Sequence, residues 1–210
     1  MEQGVAGIIL AGGLSRRMGG GDKPLLSLGK SRLIDHVAKR LQPQVAALAI
    51  NANGDPTRFA GLDLPITADT VPGYAGPLAG ILTGLEWAAT QTGCGWLASA
   101  AGDTPFFPDD LVERLAQAAR QQPDAIAVAS CSGRWHPTFA LWPLGLRDTL
   151  GRFLVDEDNR KVSAFMERHG FVAVDFPMIE AAGERIDPFF NVNTPDDLAV
   201  AERLLQSLPP

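Results

Sequence analysis

Arg16, Arg17 and Lys23 follow closely on an apolar run, Ile8-Ile9-Leu10, that breaks into Ala11-Gly12-Gly13. A buried strand that ends in glycines and cations suits an anion. Glycine lets backbone N–H groups approach a phosphate closely, and the cations offset its charge. The stretch from Val5 to Leu26, VAGIILAGGLSRRMGGGDKPLL, therefore reads as a nucleotide-phosphate loop. Gly19-Gly20-Gly21 make it permissive enough to close over phosphates. Two common phosphate motifs are excluded by spacing. GxxxxGK[ST] fails because Lys23 follows Asp22 and precedes Pro24, and GxGxxG fails because Gly12-Gly13 lacks glycines at the required positions. No Ser/His/Asp or Cys/His constellation for a protein nucleophile stands out either.

The elements around this loop alternate. Ser31 can cap a helix through Leu41, with Leu33, Ile34, Val37 and Leu41 on one face. Strands are predicted over 45–50, 64–68 and 96–101, with a helix over 78–89 after a proline- and glycine-rich loop. Pro108-Asp109-Asp110 opens another helix. Further strands are predicted over 125–129, 136–142 and 171–176, with helical stretches over 144–153 and 161–168 and a last helix through Leu205. Strands separated by helices predict an α/β, three-layer, Rossmann-like doubly wound fold with a mainly parallel sheet. Ligands collect at the carboxyl ends of such strands. Four polar clusters, at 11–23, 51–53, 69 and 102–104, all fall there, which points to one composite site.

The bulk composition agrees with a single domain. The 210 residues, 46% hydrophobic, can bury a proper core, and no repeat or linker marks a boundary. The 24 acidic and 18 basic residues leave a net charge of −6, which argues against a broad nucleic-acid or acidic-membrane surface. A polyanionic ligand would then need a local basic patch or a metal. Cys94 and Cys131 lack CxxC spacing and read as reduced thiols of a cytoplasmic protein. No apolar run is long enough to cross a bilayer, and MEQGVAGIIL lacks the basic start of a signal peptide.

Taken in order, Leu10-Ala11-Gly12-Gly13, Ser15, Arg17-Met18-Gly19 and Asp22-Lys23 resemble the signature of the molybdenum cofactor guanylyltransferases, a branch of the nucleotidyltransferases. Gly76-Pro77-Leu78-Ala79-Gly80, Asp103-Thr104-Pro105-Phe106, His136-Pro137-Thr138 and Asn191-Val192-Asn193-Thr194-Pro195 match the same family in order. The resemblance spans the whole chain, with a nucleotide half over about residues 1–105 and an acceptor half over about 106–210. It implies the nucleotide-diphospho-sugar transferase type of fold and transfer of GMP from GTP to the terminal phosphate of molybdopterin. Pyrophosphate leaves and Mg2+ is the required cofactor. Attack of a phosphate oxygen on the α-phosphorus needs no protein nucleophile, so catalysis consists of alignment and charge stabilisation.

The resemblance also implies roles. The backbone of Leu10, Ala11, Gly12 and Gly13 holds the nucleotide, while Lys23 and Arg17 neutralise phosphate charge. Asp103 is the metal candidate, since a carboxylate at the end of a central strand can meet Mg2+ held by phosphates; its competing role is capping the turn before Pro105. Asn191 and Asn193 offer further oxygens to the metal site or contacts to the pterin, and Asn193 alternatively caps the last helix. Asn51 and Asp69 are guanine or ribose contacts, with the Asp69 carboxylate suited to the two adjacent donors of guanine. Gly76 and Pro77 shape the wall near the acceptor or the nucleotide, and His136 borders the acceptor. Gly102 departs from the family, in which a larger residue such as Cys is expected before the aspartate. The enzymatic alternatives are a CTP-dependent molybdopterin cytidylyltransferase and a sugar-1-phosphate nucleotidyltransferase. A further alternative is a non-catalytic module that delivers cofactor. Expected partners are GTP, molybdopterin and, transiently, other cofactor-synthesis proteins or molybdoenzyme apoproteins.

Overall fold

The computed structural model describes residues 4–12, 22–71, 73, 76–156, 161–181 and 183–207. The strands are β1 (Gly4–Leu10), β2 (Ser27–Leu28), β3 (Ser31–Arg32), β4 (Ala47–Asn51), β5 (Ile66–Thr67), β6 (Cys94–Ala101), β7 (Ile126–Cys131), β8 (Arg134–Pro143), β9 (Phe171–Asp175), β10 (Ile179–Ala181) and β11 (Glu184–Ile186). The helices are α1 (Leu33–Leu41), α2 (Pro77–Ala88), α3 (Leu111–Gln121), α4 (Arg147–Asp156), α5 (Val162–His169) and α6 (Pro195–Ser207). Seven strands form one sheet in the order β5-β4-β1-β6-β8-β7-β9, and two small hairpins, β2-β3 and β10-β11, stand apart from it.

Strict alternation along β1 divides the core. Ile9 and Ala11 face α1 and α3 in a cluster with Ile34, Val37, Leu41, Leu111 and Leu115. Ala6, Ile8 and Leu10 face the other way, against Leu78, Ile81 and Leu85 of α2 and against buried residues of α4 and α5. Helices thus cover both faces, as a doubly wound parallel sheet requires. Among the described residues no helix is long and apolar enough to cross a membrane.

The sheet is parallel except at β8, which runs antiparallel to both β6 and β7. A two-residue turn at Ser132 and Gly133, with φ of 51° and 79°, joins β7 to β8 and supplies the reversal. Because β8 is reversed, its first residues lie at the carboxyl edge of the other strands. The ladder there is bulged: Val128 pairs with Ala140, yet Ser130 pairs with Trp135, so two steps along β7 span five along β8. His136-Pro137-Thr138 occupies this bulge, a position that tolerates a proline without an N–H for the ladder.

Two predicted boundaries shift for local reasons. Ser31 does not cap α1, because it pairs with Leu28 in the β2-β3 hairpin. The helix starts one residue later, with the Arg32 N–H donating to Asp35 Oδ2 at 2.8 Å. Asn193 does not cap α6. Thr194 does: its Oγ1 accepts from Asp197 N at 3.1 Å, while Asp197 Oδ2 accepts from Thr194 N at 2.8 Å and from Asn193 N at 2.9 Å.

Candidate active site

Four parallel strands end level with one another. Leu10 is in register with Asn51 on one side and Ala101 on the other, and Asn51 with Thr67. The ladder runs one rung further, with Ala11 N donating to Asn51 O at 2.9 Å, Gly102 N to Leu10 O at 3.0 Å and Ala52 N to Thr67 O at 3.0 Å. The crossover from β1 to β4 passes through α1 on one face, and that from β5 to β6 through α2 on the other. The chain therefore changes direction beside β1, the place where open α/β sheets form a crevice. The Ala11 N–H is taken by the ladder, and the first backbone beyond it belongs to exposed Gly12. Gly13, Arg16, Arg17 and Gly19 to Gly21 lie outside the described residues.

At the β6 end of this edge the structure gathers four of the predicted side chains. Lys23 Nζ lies 3.0 Å from Asp103 Oδ2 and also donates to Asn193 Oδ1. Asn191 Nδ2 donates to Asp103 Oδ1 at 3.3 Å, and Val192 N donates to Asp103 O at 3.0 Å. The Asn191–Asn193 strap is thereby fastened to the end of β6. The side chains of Lys23 and Asp103 are 22% and 16% exposed, so the pair is drier than a surface ion pair but open to a ligand. Gly102 explains how the two meet. A Cβ there would stand 3.3 Å from Leu10 O and 3.3 Å from Pro24 Cβ, so the bare glycine lets the turn carrying Lys23 close onto the end of β6. In this chain the small residue before the aspartate is filled by Pro24 packing.

A second cluster stands at the β4 and β5 ends. Asn51 is buried, and its Nδ2 donates to Thr67 O at 3.2 Å and to Asp69 Oδ1 at 2.9 Å. Asn53 completes the grip, its Nδ2 donating to Asp69 Oδ2 at 2.7 Å and its Oδ1 accepting from Asp69 N at 2.8 Å. Gly80 makes room for this pair, since a Cβ on it would meet Asn51 Oδ1 at 2.2 Å. Gly76, with φ 148° just ahead of Pro77, sets the start of α2 beside the same edge. The following loop is held by Thr70 N donating to the buried Thr83 Oγ1 at 3.1 Å.

His136, near the start of β8 next to β6, is 7% exposed. Its ring stacks on Phe189 at 4.8 Å, and Nε2 stands 3.0 Å from Asp187 Oδ2, out of line for a hydrogen bond. Burial holds the imidazole below its ordinary pKa and outweighs the attraction of Asp187. His36 is structural, with Nε2 3.0 Å from Leu28 O.

Sequence reasoning missed Arg58, which donates through Nη1 to Asp22 Oδ2 and through Nη2 to Asn53 O. A lone arginine in a single short 3-10 turn, Pro56–Phe59, gives no periodic or motif signal. Asp187 was missed for the same reason. Asn53 sat inside the polar cluster at 51–53 without a role of its own.

Residues 7–182 match the family described as a MobA-like NTP transferase domain. The chain is 62% identical over 208 residues to a molybdenum cofactor guanylyltransferase of Mesorhizobium japonicum, covering 99% of each chain. It is 51% identical over 198 residues to one of Rhodopseudomonas palustris, covering 94% of this chain and 92% of the relative. Among solved structures, the molybdopterin-guanine dinucleotide biosynthesis protein A of Archaeoglobus fulgidus superposes with a TM-score of 0.73 at 24% identity, covering 96% of this chain and 98% of that one, which establishes the shared three-layer fold. Matched by this domain over most of its length and by relatives more than half identical from end to end, the chain belongs to the molybdenum cofactor guanylyltransferases, a family of nucleotidyltransferases.

Proposed function

We propose that the chain transfers GMP from GTP to the terminal phosphate of molybdopterin, with Mg2+ held beside Asp103. The observation that carries this reading is the convergence of two side-chain oxygens, Asp103 Oδ2 and Asn193 Oδ1, on one cation, Lys23 Nζ, at the carboxyl edge of β1 and β6. Hard oxygen donors arranged around a cation suit Mg2+, and among the described residues no three His, Cys, Asp or Glu side chains converge. Such a site would take its remaining ligands from phosphates and water, as Mg2+ sites of this kind do. The ion would supply charge neutralisation on the phosphates.

The chain's own residues account for the rest. Lys23 is already poised between two oxygens, so a short swing would carry its ammonium to an incoming phosphate and follow the charge that builds on departing pyrophosphate. The oxygen of the acceptor phosphate forms the new bond to the α-phosphorus as the bond to the pyrophosphate oxygen breaks, and the protein aligns the two. Asp69, gripped on both oxygens by asparagine amides, keeps lone pairs for the N1–H and exocyclic amino group of guanine. Guanylyltransferase names among the relatives support GTP over CTP, and the intact Lys23–Asp103 pair supports catalysis over passive delivery. His136 remains an acceptor-side candidate, while Gly76 and Pro77 set the start of α2 beside the Asn51 edge and so belong with the nucleotide wall. The cysteines are free thiols, which suits the reducing cytoplasm in which we place the enzyme. The test is pyrophosphate release from GTP with molybdopterin and Mg2+. Release that requires all three is expected, and release indifferent to molybdopterin or to chelation of Mg2+ would refute the reading.

A further inference from the structure

We infer that Arg58 is a positioning residue that clamps the phosphate end of the nucleotide site to its base end. Its guanidinium forks between two separate loops. Nη1 donates to the carboxylate of Asp22, the residue before Lys23, and Nη2 donates to the carbonyl of Asn53, whose side chain grips Asp69. The fork is braced from behind: Arg32 Nη1 donates to Arg58 O at 3.2 Å, and Arg32 is itself paired with Asp35 at 2.8 Å. Asp55 fixes the short turn that carries Arg58 by accepting from Thr57 N at 2.9 Å. The Asp22 and Arg58 side chains are 28% and 26% exposed, and Arg58 Nε is buried without a hydrogen-bond partner among the described residues. A planar guanidinium can hold a carboxylate and a carbonyl at fixed relative positions, which a lysine ammonium cannot.

The arrangement has an electrostatic consequence. Asp22 is a carboxylate next in sequence to the lysine that meets the phosphates. Left alone, it would repel a triphosphate in a partly desolvated site. Arg58 cancels that charge and ties the loop to the Asn53–Asp69 pair, so that base recognition and phosphate alignment share one rigid link. The clamp rests on the reading of Lys23 as a phosphate ligand and of Asp69 as a guanine acceptor.

The experiment compares wild type, Arg58→Met, Arg58→Lys and Arg58→Met with Asp22→Asn, measuring kcat and KM with GTP and with ITP, which lacks the exocyclic amino group. Loss of a part-buried charged fork should raise the GTP KM of Arg58→Met about tenfold and shrink the preference for GTP over ITP. Adding Asp22→Asn should recover part of the GTP KM, because no bare carboxylate remains, without restoring the base preference. Arg58→Lys keeps the charge and should lose base preference more than GTP affinity; it carries the test if Arg58→Met does not fold. A GTP KM and a GTP-to-ITP ratio equal to wild type in the Arg58 variants would overturn the clamp. A wild type without preference for GTP over ITP would overturn the base-pocket reading and the clamp with it, an outcome visible before any variant is made.

Discussion

Lys23 Nζ and Asp103 Oδ2 stand 3.0 Å apart although 80 positions separate them in the chain. Their meeting depends on Gly102, on the Pro24 turn packed over it, and on Asn191 and Asn193, which hold the pair from the far end of the chain. Asp103→Asn keeps the shape and the bond from Asn191 but removes the charge. We expect kcat to fall about 100-fold or more with the fold intact, checked by steady-state kinetics beside circular dichroism. Full activity would overturn the proposed metal role of Asp103.

Lys23→Ala should act differently. On the proposed role it removes a group that would meet phosphate in both ground and transition states, so GTP KM should rise and kcat should fall together. Unchanged values of both would return Lys23 to a structural partner of Asp103.

Gly80→Ala tests the proposed base pocket at Asn51 and Asp69 from outside it. The added methyl would meet Asn51 Oδ1 at 2.2 Å and Leu10 Cδ2 at 2.9 Å, both in close-packed surroundings. Overpacking of this kind costs about 1–3 kcal/mol of stability. It should also break the 2.9 Å bond from Asn51 to Asp69 and lower the preference for GTP over ITP. Stability is read from urea unfolding and preference from kcat/KM ratios; a variant normal in both would mean that Asn51 has room to move.

His136 predicts a pH dependence of stability. Burial lowers its pKa in the folded protein below the ordinary value of 6.5, so between the two values the unfolded chain binds more protons. Stability is therefore full well above the ordinary value of 6.5 and declines as the pH falls through it toward the lower folded-state value. His169, lowered by burial and then by Arg168, titrates in the same sense. His136→Gln should flatten part of this decline in urea midpoints measured across that range. An unchanged slope would show that Asp187 fully compensates the imidazole.

Most strands and helices, and the polar ends of β4, β5 and β6, were legible because glycine, proline and hydrophobic period are local signals; residues 13–21 of the first loop lie outside the described residues. Lys23, Asp103, Asn191 and Asn193 were readable as an ordered set, and the structure brings all four together. The reversal of β8 was less so. Its signal was the Ser132-Gly133 turn, easily lost among helices that otherwise dictate parallel pairing. The choice between Ser31 and Arg32, or between Asn193 and Thr194, as a cap depends on which backbone N–H is already taken by a hairpin or a strap. Arg58 had no legible signal, because its role comes from two loops that only the fold brings to one guanidinium.

The most direct test of the account is a side-by-side comparison of GTP, CTP and ATP as donors to molybdopterin with Mg2+, read as pyrophosphate released and as the mass of the product. The account predicts the guanine dinucleotide from GTP and little product from the other two. Equal or better transfer from CTP or ATP would contradict it.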